Sequence, residues 1–127
     1  MTGKEKLESY FKELGVSFQA IDEKSWIVQD SDSGLQPTAV ALVEPIVIVR
    51  LTVMPIPAKN REAFFETILR MNANDLVHVS YALDGDALIL CKSFLLETLD
   101  LEELQAAFDE IGLALIQHYS ILSKFRP

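Results

Sequence analysis

The chain has 127 residues, half of them hydrophobic, and a formal net charge of −8. That length fits one domain, expected to span residues 1–127, with enough apolar side chains for a sizeable core. The acidic balance argues against nucleic acid and anionic membrane surfaces as partners, because both are bound through Lys and Arg.

Leu7, Tyr10, Phe11 and Leu14 recur at helical spacing, and Gly15 follows where a C-terminal cap would sit, so Lys4–Leu14 is predicted to be an amphipathic helix. Val16–Ile21 alternates apolar with polar or small residues and reads as a half-buried strand. Asp22–Ser25 is a polar turn, Ser25–Gln29 a second strand, and Asp30–Gly34 a loop by composition. Pro37 opens an extended region in which Ala39–Val43 is either a strand or an irregular lead into the next one. Ile46–Met54 is a strand whose Val47, Val49, Leu51 and Val53 form an apolar face; Ile46, Ile48, Arg50, Thr52 and Met54 form a mixed one.

Pro57 and Ala58 are predicted to open a second helix with Phe64, Phe65, Ile68 and Leu69 on its apolar side and Met71 as a further candidate, ending over Asn72–Asp75. Leu76–Leu83 and Ala87–Leu96 then flank Asp84-Gly85-Asp86, a hairpin signal that predicts a type I′ turn with positive φ at Gly85. Asp100 is a good N-cap with Glu103 placed for a capping box. Leu101, Leu104, Phe108, Ile111, Leu115, Tyr119 and Leu122 carry a long helix to about Ser123, in which Gly112 is a modest local cost. Connections between neighbouring strands are too short for parallel crossovers, although the second helix could make one. The fold class is therefore α+β, with a mostly antiparallel sheet and the order helix–strands–helix–hairpin–helix.

The residues offer little chemistry. His78 and His118 do not sit at metal-ligand spacing to each other or to a Cys or carboxylate cluster. Cys91 is the single cysteine, lies mid-strand and reads as a packed small hydrophobe. With no intrachain disulfide possible, a reducing cytoplasm is the expected setting. Met1–Lys6 lacks the apolar core of a signal peptide, and no run approaches the roughly 18–20 residues of a membrane span. Asp30–Gly34 resembles the opening of a calcium loop, but the twelfth position, which needs a bidentate Glu, is Ala41. Glu62 and Glu66 stand one turn apart beside Arg61 and Arg70, the pattern of a solvated helix face. No catalytic residue, metal ligand or cofactor site is nominated, and an enzyme is not expected.

The strands are nevertheless too apolar on both faces. Ile48 and Met54 add to a second face that also carries Leu76, Ala82, Ala87, Ile89, Cys91 and Leu95. A sheet wet on one side should alternate more cleanly. Ile48, Met54, Ile89 and Leu95 are therefore the expected protein interface, whether toward a second copy or toward a client polypeptide.

Leu69-Arg-Met-Asn72, the run Ala82-Leu-Asp-Gly-Asp-Ala-Leu88, and Leu101-x-x-Leu104 leading into a helix that reaches Tyr119 together resemble the bacterial sensory-transduction-regulator-like family, whose fold looks like that of the type III secretion chaperones. The resemblance covers essentially the whole chain. It implies the order helix, three strands, helix, two strands, helix, and a small, acidic, non-enzymatic cytoplasmic protein that is often dimeric. Chaperones of that fold hold an extended client segment on apolar surface. The alternative it leaves is a regulatory homodimer without a client.

Overall fold

The computed structural model describes residues 1–126. The chain runs α1 (Gly3–Leu14), β1 (Ser17–Asp22), β2 (Ser25–Asp30), β3 (Leu35–Val43), β4 (Ile46–Pro55), α2 (Arg61–Asn74), β5 (Ser80–Asp84), β6 (Ala87–Leu95), α3 (Leu101–Leu122) and a closing 3₁₀ turn at Ser123–Phe125. The strands form one six-stranded antiparallel sheet in the order β1-β2-β3-β4-β6-β5. Four strands precede α2, one more than the resemblance implies. β4 and β5 both flank β6 antiparallel, so they run parallel to each other and α2 is the crossover between them.

Local sequence sets the helix ends. Thr2 and Glu5 form a reciprocal capping box on α1, and Gly15 closes it in the left-handed region at φ 72°. Asp100 and Glu103 do the same at the start of α3, as expected. α2 begins at Arg61, later than expected, after Asn60 in the left-handed conformation at φ 58°. Leu69 is exposed; the buried side of α2 is Phe64, Ile68 and Met71.

All three helices cover the same face of the sheet. Leu7 and Phe11 of α1, Phe64 and Ile68 of α2, and Leu104 and Ile111 of α3 join Trp26, Val28, Val40, Val47, Val49, Leu88 and Leu90 in one core cluster. Phe11 packs on Phe18, Trp26 and Phe108, and the buried Trp26 indole donates to Glu8 at 2.9 Å. Gly112 has a packing role in α3: a Cβ there would lie 3.4 Å from the Ser33 carbonyl oxygen, so its absence lets the helix close on the β2–β3 turn.

Two strands depart from the expected pattern. β4 carries a bulge between Thr52 and Met54, one extra residue that inverts the alternation. Met54 is thereby turned into the core at 3% exposure, so the expectation of Met54 at the surface is corrected. The first hairpin strand begins at Ser80 rather than Leu76, because the Glu110 carboxylate takes the backbone N–H groups of Val77, His78 and Val79 at 2.7–3.0 Å. The hairpin pairs Asp84 with Ala87 around Gly85-Asp86. Gly85 has φ 56° and Asp86 is not among the positive-φ residues, so the turn has the II′ pattern rather than I′.

Candidate functional site

With the helices on one face, the other face of the sheet is open. The register lines up its rows across β3, β4, β6 and β5: Val43–Ile46–Leu95, Ala41–Ile48–Ser93, Ala39–Arg50–Cys91–Ser80, and Thr52–Ile89–Ala82. Ile48 is partly exposed, and Leu95 is 54% exposed beside an exposed Val43. Of the four residues singled out in the sequence, Ile48, Ile89 and Leu95 share this face and Met54 does not.

Ile89 is only 5% exposed although no core element lies over it. The register supplies the reason. Arg50 on β4 stands in the Cys91 row, Asp84 on β5 stands in the Ala87 row, and their side chains meet at 2.7 Å. A line between those two positions crosses β6 at Ile89. The ion pair therefore lies over Ile89 like a strap, and nothing in the local sequence announces it. Arg50 and Asp84 are also the only charged residues on this face of β3, β4, β6 and β5, and they neutralise each other. A chain with 19 acidic and 11 basic residues thus has no net charge over the β3, β4, β6 and β5 part of this face, and Asp22 stands at its β1 edge.

The remaining candidates lie elsewhere. Cys91 is half-buried in the middle of the open face. His78 is exposed, outside any strand. His118 is buried between two partners: Nε2 meets Asp75 Oδ2 at 2.9 Å and Nδ1 meets the Tyr81 hydroxyl at 2.6 Å. With Nε2–H donating to Asp75, the Nδ1 side of the ring is left to face the Tyr81 hydroxyl. Asn72 holds the N–H and C=O of Tyr81 at 2.7 and 3.1 Å, so α2, β5 and α3 are tied at one point. Burial, and then the Asp75 carboxylate, push the Tyr81 hydroxyl above the ordinary tyrosine range. Sequence spacing could not find this network, because its members lie 37 and 43 residues apart. Asp30 Oδ1 accepts from the Asp32 N–H in an Asx turn, and Glu66 pairs with Arg70 on the solvated side of α2. Among the described residues, no group of three or more His, Cys, Asp or Glu side chains is placed to hold a metal ion. Among them, too, no helix is long and apolar enough to cross a membrane.

Comparison with known proteins bears on this arrangement. The family model CesT_Tir_1 matches residues 2–126. No curated protein sequence matches the chain. Among solved structures, the chain is similar to the heterodimeric ExoU–SpcU complex from the type III secretion system of Pseudomonas aeruginosa, with TM-score 0.70 and 12% identity over 87% of this chain and 93% of that one. It is also similar to YbjN from E. coli, with TM-score 0.65 and 13% identity over 93% and 92% of the two chains. A third likeness is to the type III secretion chaperone SycH of Yersinia pestis in complex with a fragment of YscM2, with TM-score 0.56 and 16% identity over 91% and 98%. At these identities the likeness establishes a shared fold.

Proposed function

The chain belongs to the CesT_Tir_1 family, and from that premise we propose that it is a non-enzymatic, chaperone-like or regulatory module that holds a partner polypeptide on the open face of its sheet. The observation that carries this reading is the apolar, charge-balanced part of the open face formed by β3, β4, β6 and β5, on a chain of net charge −8. Exposed apolar area of this kind is costly to leave wet, at roughly 25 cal/mol per Å². Structural neighbours that are complexes of a chaperone with another protein support the same role. A second copy of the chain is an occupant this face also suits, because two such faces do not repel each other.

Light scattering combined with an uncharged apolar dye tests the proposal. Ile48 and Leu95 are the residues to change, since Ile89 lies beneath the ion pair and Ile89→Asp would destabilise the monomer itself. The parent is expected to form a dimer, or as a monomer to bind the dye at this face. Ile48→Asp and Leu95→Asp are expected to abolish whichever is seen, with circular dichroism preserved. Thiol labelling of Cys91 should accelerate in the same variants if a dimer covered it. A monomeric parent that binds no dye overturns the reading.

A further inference from the structure

The hairpin ladder stops short of the end of β6. β6 runs to Leu95, but β5 pairs with it only as far as Ser80–Cys91. The bond directions can be read from neighbouring bonds. Leu96 donates its N–H to the Pro45 carbonyl, so even-numbered residues at this end of β6 face β4 and odd-numbered ones face the β5 side. Asn72 holds the N–H and C=O of Tyr81 from the far side, so even-numbered β5 residues face β6. Carried two residues further, the hairpin register sets Val79 opposite Lys92 and His78 opposite Ser93, the latter as a hydrogen-bonded rung. The N–H and C=O of Ser93 face that position, Ser93 is exposed, and no strand among the described residues pairs with it there.

Glu110 competes for the same rung. Its carboxylate takes the N–H of His78 at 2.7 Å, together with those of Val77 at 3.0 Å and Val79 at 2.7 Å. Successive N–H groups of a strand point to opposite sides, so three of them converging on one carboxylate require the bend observed at Val77 and His78. This latched form leaves Val77 83% exposed. A cleft of about 300 Å³ opens alongside, lined by His78, by Lys92 and Phe94 of β6, and by Ala106 of α3 among others. The segment therefore has room to swing onto β6, and the His78 N–H has a second acceptor in the Ser93 carbonyl.

We propose that residues 77–79 form a two-state segment of this chain, latched on Glu110 in the free protein and released onto β6 when a partner covers the open sheet face. The released form adds the rung His78–Ser93 and carries the His78 imidazole onto the open face, at the end of the row Ala41–Ile48–Ser93. Water decides between the two forms. In the free chain the backbone groups of Ser93 are solvated, and the latch costs the sheet nothing. A partner lying on Ile48 and Leu95 strips water from Ser93, whose N–H and C=O then need protein partners, and His78 supplies both. Glu110, on α3 in the helix layer, is left to solvent. The device rests on the open-face reading and adds to it a part that moves when the face is filled.

The test is NMR of the full chain with two readouts. One is hydrogen exchange at the Ser93 amide. The other is a nuclear Overhauser contact between the Hα protons of Val79 and Lys92, which approach closely only as a non-hydrogen-bonded strand pair. In the free parent the Ser93 amide is expected to exchange rapidly and the Hα contact to be absent. Glu110→Ala should slow Ser93 exchange at least about tenfold and bring the contact up. Glu110→Gln, which keeps the shape of the side chain, should show both changes at smaller amplitude. Saturating the parent with Nile red, an uncharged apolar dye, should produce the same two changes, and Ile48→Asp should prevent them. A protected Ser93 amide in the free parent overturns the latch. So does rapid Ser93 exchange in folded Glu110→Ala or Glu110→Gln, the result expected if Glu110 only braces a loop. Dye bound at Ile48 and Leu95 with Val79 and Ser93 unchanged overturns the coupling and leaves the open-face reading intact. A monomeric parent that binds no dye overturns both.

Discussion

Gly85 closes the hairpin in a conformation that an L side chain enters only at a cost of roughly 1–2 kcal/mol. A Cβ there meets nothing within 4 Å, so the cost of substitution is conformational rather than steric. Gly85→Val is therefore expected to lower the thermal midpoint, whereas Asp86→Ser, at the other central position, should change it little. Equal midpoints for Gly85→Val and the parent would refute the turn geometry. Glu110 is the second residue with a disproportionate role. Burial alone would raise its carboxyl, but the N–H donors of Val79, Val77 and His78 outweigh burial and hold it below the ordinary glutamate range. A carboxyl lowered by folding contributes stability that is present above its unfolded pKa and lost as pH falls through the folded value. Glu110→Gln should therefore lower stability near neutrality and flatten the acid limb of a stability–pH curve. An unchanged acid limb would mean that Glu110 does not anchor the segment before β5.

At the level of elements, the helices were the legible part of the fold. Both capping boxes have short-range chemistry, and one of them, Asp100 with Glu103, is evident from spacing alone. Strand boundaries were less legible, because what sets them is not local. Leu76–Val79 looks like a strand, yet the N–H groups of Val77, His78 and Val79 are taken by a carboxylate more than 30 residues away. The bulge in β4 is invisible to alternation, since Val53 and Met54 are both apolar and either suits the core. Of the candidate site, the apolarity of the second face was readable and the strap over Ile89 was not, because Arg50 and Asp84 meet only across three strands. His118 reads as unremarkable in sequence and proves to be the point where α2, β5 and α3 meet. His118→Ala would leave the buried Tyr81 hydroxyl without its partner, at about 1–3 kcal/mol in addition to lost packing. Tyr81→Phe in the His118→Ala background should recover part of that loss in chemical denaturation. Strictly additive effects would show that the two side chains act independently.

For the whole molecule, the distribution of charge decides more than its sum. The excess acid keeps copies apart over most of the surface, and the β3, β4, β6 and β5 part of the open face escapes that repulsion because Arg50 cancels Asp84. In the isolated chain both side chains are well exposed, and such a pair contributes only about 0–1 kcal/mol. Once a partner covers the face, the same pair loses water, and a single unpaired charge there costs roughly 3–5 kcal/mol. Arg50→Glu places two carboxylates over Ile89 at the β5 end of the face. It is expected to leave the thermal midpoint of the monomer nearly unchanged and to abolish dimerisation or dye binding. Exchanging the charges, Arg50→Glu with Asp84→Arg, restores a neutral pair over Ile89 and should recover much of the association by light scattering. Failure of the exchange to recover any association, with both variants folded, would place the pair outside the contact. Partner binding would then have to run through Ile48 and Leu95 at the other end of the sheet.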